Sequence, residues 1–144
     1  MQKGREINLM KNYPFSNRDI SGRLEFKTDE DKRIARKFGK EFFDGLRSQG
    51  YGGFSYNSRF WKNVVPDFKK HWSLEKCDSL LDIGCAKGFM LNDLKELLPA
   101  LDVYGIDISE YAIQNAKKEV LEFCQVGNAT SLPFDDQSID VSIS

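Results

Sequence analysis

The sequence has 144 residues, 40% hydrophobic and 30% charged, which excludes a disordered chain and suits one domain, or a short appendage plus part of a larger one. No run approaches the roughly 20 apolar residues of a bilayer span, and the first fifteen residues lack a secretory apolar core, so a cytoplasmic protein with no membrane partner is expected. Three cysteines (Cys77, Cys85, Cys124) and a single histidine exclude a disulfide framework and argue against a metal site.

The net charge of −1 hides an asymmetry. Residues 79–144 carry four lysines and eleven acids, net −7, whereas residues 1–78 carry seventeen bases and eleven acids, net +6. The basic half has no dense basic run, so nucleic acid is disfavoured as a substrate and a solvated helical surface is the simpler reading. The contrast divides the chain into an N-terminal arm and helical extension over 1–78 and a second unit over 79–144.

Residues 1–27 lack a sustained period and read as an arm. Thr28 is a helix N-cap, with Asp29, Glu30 and Asp31 set against the positive helix end. Ile34, Phe38, Phe42 and Leu46 recur every four residues, predicting one amphipathic helix over 29–47. A loop follows in which glycines alternate with aromatics, from Tyr51 to Tyr56. Residues 58–72 read as helix, with Pro66 either kinking it or beginning a second one. Ten of the eighteen aromatics lie between Phe38 and Trp72. Phe38, Phe42, Phe60, Trp61 and Phe68 read as packing glue, and His71 as structural or surface.

From Ser79 the texture changes. The run over 79–83 predicts a buried strand, 87–98 a helix stopped by Pro99, and 101–108 a second strand. A helix over 110–118 with Ser109 as cap follows, then strands over 120–126 and 138–144. This alternation predicts βαβ units and a parallel sheet.

The first strand runs into Asp82-Ile83-Gly84-Cys85-Ala86-Lys87-Gly88, with small residues at 84, 86 and 88. Such a turn lets a ligand approach the backbone and leads into a helix N-terminus. Asp107 ends the second strand, nineteen residues beyond Gly88, where a Rossmann-like site places a carboxylate able to accept from two vicinal hydroxyls. Ile108 could lie flat on a base, and Asn128, just past the third strand, offers a donor and an acceptor to a base edge. Cys85 and Cys124 read as small buried fillers.

Residues 79–144 resemble the class I S-adenosylmethionine-dependent methyltransferases, closest in texture to the small-molecule group that includes quinone-biosynthesis enzymes. The resemblance rests on LLDIGCAKGF, VYGIDIS and GNATSLPFDDQSIDVSIS. It implies an α/β fold with a Rossmann-like partial parallel sheet in order 3-2-1-4, preceded by the aromatic-rich helical extension. It implies S-adenosyl-L-methionine as cofactor, transfer of its methyl group to a small-molecule acceptor, and a cofactor set of Asp82, Gly84, Cys85, Ala86, Gly88, Asp107, Ile108, Asn128 and Ala129. Ala86 replaces the family's usual middle glycine, Asn128 stands where aspartate is common, and Asp140 is the usual acid of strand four. Tyr51 and Tyr56 become lid or substrate candidates, and no catalytic base is identified.

The family's sheet has seven strands, so the sequence reads as truncated after strand four. An outer edge on strand four then implies a homodimer or a completing chain, with donor binding retained and turnover poor. Two other readings remain: a non-catalytic ligand-binding fragment or subunit, and an NAD- or nucleotide-binding Rossmann domain, which the short glycine spacing disfavours.

Overall fold

The computed structural model describes residues 4–15, 27–75 and 78–144. Among the described residues four strands form one parallel sheet in the order β3-β2-β1-β4, the order expected from the sequence. They are β1 (Ser79–Ile83), β2 (Asp102–Asp107), β3 (Cys124–Val126) and β4 (Val141–Ile143). Leu81 pairs with Tyr104 on one side of β1 and with Ser142 on the other, and Gly105 of β2 pairs with Cys124 of β3. Central β1 is buried at Leu80, Leu81 and Asp82, as expected for a parallel strand covered on both faces.

Five helices accompany the sheet among the described residues: α1 (Asp29–Ala35), α2 (Lys40–Asp44), α3 (Val65–Trp72), α4 (Phe89–Leu97) and α5 (Glu110–Gln114). Helix α4 turns Met90, Leu91 and Leu94 inward, and these pack with Leu80, Leu101, Val103, Ile113 and Val120. Val64, Val65 and Phe68 at the start of α3 belong to the same core, so the basic half and the sheet share one apolar interior. Full burial of each such aliphatic side chain stabilises by roughly 1.5–3 kcal/mol. Leu9 and Tyr13 of the arm also pack on this core, and Tyr13 lies edge-on to Trp61 at 5.1 Å. The part of the arm at 16–26 lies outside the described residues.

Thr28 caps α1 through a reciprocal pair in which Asp31 N donates to Thr28 Oγ1 at 3.1 Å and Thr28 N donates to Asp31 Oδ2 at 3.2 Å. The single helix expected over 29–47 is two. The break falls at Phe38, whose φ of 49° is left-handed, and Gly39 begins α2 in extended geometry. A bulky residue in that region is strained, and here it is tied down by the Ser109 hydroxyl, which donates to Phe38 O. The second helix of the extension is shorter than expected, because 58–64 form turns and Pro66 sits in the first turn of α3. The expected strand over 120–126 begins instead with a 3₁₀ turn at Leu121–Phe123.

Asp140 clamps β4 onto the start of β1. Its Oδ2 accepts from Ser79 N at 2.9 Å and from Ser79 Oγ at 2.8 Å, contacts that lower its pKa. That is the amino end of the strands, and Asp140 is not on the cavity described below. No helix among the described residues is long and apolar enough to cross a membrane.

Candidate functional site

The carboxyl ends of β1, β2 and β3 open into a cavity of about 450 Å³. Size and place are those of a small-molecule site in an open α/β sheet. One wall is the loop after β1, where Gly84, Ala86 and Gly88 take φ values of 89°, 50° and 71°. Gly84 N and Cys85 N both donate to Ile106 O, at 2.7 and 3.1 Å, which folds the loop back over β2. Nothing lies within 4 Å of where a Gly84 side chain would project. A side chain at Gly88 would meet Val120 Cγ2 at 2.9 Å, so that glycine is needed for packing as well as for its dihedral. Ala86 takes the left-handed geometry with a Cβ, at a cost of roughly 1 kcal/mol.

Asp107 is held in place by two backbone donors. Ala86 N donates to Oδ2 at 2.7 Å and Ser109 N donates to Oδ1 at 2.8 Å, leaving a further lone pair on each oxygen. The next residue, Ile108, is 58% exposed, and its apolar side chain lines the cavity. Asn128 and Ala129 close the third side. The Asn128 carbonyl oxygen accepts from Thr130 N and Thr130 Oγ1, both at 3.0 Å. The Asn128 NH₂ is therefore the group left to meet a ligand, in place of the donor–acceptor pair expected from the sequence.

Six of the nine cofactor candidates thus line the cavity: Gly84, Ala86, Asp107, Ile108, Asn128 and Ala129. Gly88 and Cys85 support the loop from behind. Asp82 lies beneath it, and its carboxyl is pushed up to about 7 by burial and then by the charge of Asp107. Among the described residues no hydrogen-bond donor reaches Asp82.

The opposite wall is aromatic: Phe38, Phe42, Phe43 and Tyr51. Phe42 meets Phe38, Phe43 and Tyr51 edge-on at 5.1, 5.1 and 5.2 Å, and the rings continue through Phe54 to Phe89 of α4. Burial and then the Asp107 charge raise the Tyr51 pKa. Tyr56 is placed elsewhere. Its hydroxyl donates to Asp93 Oδ1 at 2.5 Å, and its ring packs on Phe89. Sequence reasoning treated Phe38 and Phe42 as packing alone. The break at Gly39, which periodicity does not register, aims both rings at the cavity.

Lys87, the loop's only charged residue, is buried and turned away from the cavity. Its Nζ donates to Asp44 Oδ2 at 2.7 Å and to Phe54 O at 2.8 Å. Asp44 accepts in addition from Phe54 N at 2.9 Å and from the Tyr111 hydroxyl at 2.7 Å. This polar cluster fastens α2 and the glycine–aromatic loop to the turn after β1. No sequence motif marked it, because its members meet only in the folded chain.

Several known proteins are similar to this chain. Residues 81–144 match the family described as a methyltransferase domain. A demethylmenaquinone methyltransferase of Symbiobacterium thermophilum is 28% identical over 111 residues, covering 70% of this chain and 44% of that protein. A tRNA (guanine-N(7)-)-methyltransferase of Prochlorococcus marinus is 35% identical over 80 residues, covering 51% and 38%. The chain therefore spans less than half the length of these relatives. A solved methyltransferase of Aquifex aeolicus, described as SAM dependent, aligns over 88% of this chain and 56% of its own, with 19% identity and a TM-score of 0.46. Residues 81–144 are thus similar to the methyltransferase domain family.

Proposed function

We propose that this chain binds S-adenosyl-L-methionine in the cavity above β1, β2 and β3, and that it serves methyl transfer to a small-molecule acceptor. The observation that carries the reading is Asp107, fixed by two backbone N–H groups beside an exposed Ile108. A carboxylate with its orientation set in advance can take two ribose hydroxyls without losing further freedom, and Ile108 supplies an apolar face for the base. The Asn128 NH₂ suits a ring nitrogen acceptor of that base. Gly84, with open space where a side chain would stand, suits close approach by the methionine part, and Asp82 beneath it suits the ammonium.

When bound, the sulfonium supplies an already activated methyl carbon. The residues of this chain align the donor and exclude water, through the aromatic wall above and the glycine loop below. The π-faces of Phe42 and Tyr51 also favour a positive charge in the cavity. The small-molecule reading is supported by the wall's chemistry. Among the described residues the cavity lining is apolar and aromatic apart from Asp107, Asn128 and the Tyr51 hydroxyl, with no basic side chain. The relatives named for a quinone and for a tRNA define the two acceptor classes to compare.

The test is calorimetric titration with S-adenosylmethionine, S-adenosylhomocysteine and NAD. The adenosyl compounds should bind and NAD should not. Asp107→Ala should weaken S-adenosylhomocysteine binding by about 1.5–3 kcal/mol, the scale of hydrogen bonds to a charged group. Undiminished affinity in a folded variant refutes the assignment.

A further inference from the structure

Cys85 and Cys124 are far apart in sequence but meet across one residue. Gly105 of β2 pairs with Cys124 of β3, while Cys85 leaves β1 with its N–H on Ile106 O. A side chain at Gly105 would meet Cys85 Sγ at 2.8 Å and Cys124 Sγ at 3.0 Å. Both sulfurs therefore crowd a single point that is free only because residue 105 is glycine. Both residues are buried, 6% and 8% exposed, and both are free thiols.

The neighbouring Cys124 thiol and burial hold the Cys85 pKa above the ordinary thiol value. The thiolate is the nucleophile in oxidation, so whichever of the two ionises attacks and the other resolves.

We infer that Cys85 and Cys124 form a peroxide-oxidisable dithiol whose disulfide ties the glycine loop to β3 across Gly105. The thiolate of one cysteine attacks one oxygen of hydrogen peroxide. The O–O bond breaks, and the departing hydroxide takes up a proton to leave as water. The second cysteine's sulfur then attacks the resulting sulfenic sulfur: the S–S bond forms, the S–O bond breaks, and the departing hydroxide takes that thiol's proton as a second water. Two thiols have lost two electrons and one peroxide has gained them.

The bond has a mechanical consequence. Closing it draws the sulfurs to about 2.05 Å. β3 is held by its pairing with β2 and Cys85 by its N–H on Ile106 O, so the strand and the loop share the displacement. Ala86, the next residue, donates its N–H to Asp107 at 2.7 Å. Pulling Cys85 toward β3 therefore withdraws a donor that fixes the Asp107 carboxylate. The effect on ligand binding rests on the cofactor reading above, whereas the cross-link does not.

The experiment treats the full chain with hydrogen peroxide, blocks remaining thiols, and maps disulfides by peptide mass spectrometry without reduction. A Cys85–Cys124 cross-linked peptide, in monomeric protein and reversed by dithiothreitol, is expected. Cross-links confined to Cys77 or to intermolecular pairs overturn the inference, as does over-oxidation of Cys85 or Cys124 without their bond. Cys85→Ser and Cys124→Ser should each abolish the peptide. Gly105→Ala, which puts a methyl group between the sulfurs, should do so as well where it folds. In calorimetry the oxidised chain should bind S-adenosylhomocysteine at least about tenfold more weakly than the reduced chain, the scale of one lost charge-assisted hydrogen bond. A cross-linked chain with undiminished affinity overturns the coupling to the loop. A reduced chain that does not bind refutes the cofactor reading instead, and the peptide map still decides the thiol pair.

Discussion

Replacing Asp44 by Asn tests whether one buried ion pair holds the aromatic wall over the cavity. Burial works to raise the Asp44 pKa, but hydrogen bonds from Lys87, Phe54 N and Tyr111 outweigh it and hold the carboxyl down at about 2. Asparagine keeps the shape and removes the charge. The Lys87 side chain, 9% exposed, is then left with a neutral amide and the Phe54 carbonyl. Removing one partner of a fully buried pair costs about 3–5 kcal/mol. The Asp44 side chain is 26% exposed, so solvent screening lowers the expected loss to about 2–3 kcal/mol. Lys87→Met keeps the apolar stem and leaves Asp44 two donors and some water, a loss of about 1–2 kcal/mol. In the double variant neither charge is stranded, so the two losses should overlap by about 1–2 kcal/mol. Urea unfolding, followed by near-ultraviolet circular dichroism, measures the cycle, and proteolysis near Gly52–Gly53 reports release of the wall. The acid limb has a definite sign. A carboxyl depressed on folding gives its full stabilisation above the unfolded value of 3.8, and loses it as pH falls toward 2. Asp44→Asn should erase that component. Free energies that add within about 0.5 kcal/mol, or an unchanged acid limb, refute the reasoning.

Three further outcomes are expected. Asp82 is raised to about 7, so its neutral form stabilises the fold below pH 3.8 and that contribution is lost as pH rises through 7. A ligand ammonium prefers the ionised form, so S-adenosylhomocysteine affinity should climb across the same range, and Asp82→Asn should flatten the profile in calorimetry. Gly88→Ala should lower the unfolding free energy measured in urea by about 2–3 kcal/mol, since the methyl group meets Val120 at 2.9 Å at a left-handed position. Tyr56→Phe should cost about 1–2 kcal/mol of stability, through the lost hydrogen bond to Asp93, with ligand affinity preserved; an affinity change above threefold would return Tyr56 to the site.

The sheet was legible because β1 and β2 are short apolar runs that stop at Gly84 and Asp107, and because α4 begins at once behind a glycine. Order 3-2-1-4 then followed from the resemblance, and the register brings the same three loops together. The extension was less legible. Ile34, Phe38, Phe42 and Leu46 keep helical spacing straight through Gly39, so periodicity reads one helix where the chain turns. What outweighs helical propensity there is tertiary: Phe38 O is held by Ser109, the residue that also caps α5. Lys87 with Asp44, and Cys85 with Cys124, were unreadable for the same reason. Each pair is made by the packing of separate elements and leaves no spacing in the sequence.

These long-range contacts converge on one short turn. The Ala86 N–H is held by Asp107, the Lys87 ammonium by Asp44, and the Cys85 sulfur sits against Cys124. Three consecutive residues are thus anchored to β2, to the aromatic wall and to β3. Ala86 can keep a left-handed geometry that glycine would adopt freely, because its neighbours on both sides are fixed. The carboxylate proposed to hold the ligand is therefore oriented by a turn that the aromatic wall secures through Lys87 and that β3 packs against through Cys85, so the geometry of the grip depends on both neighbours being in place.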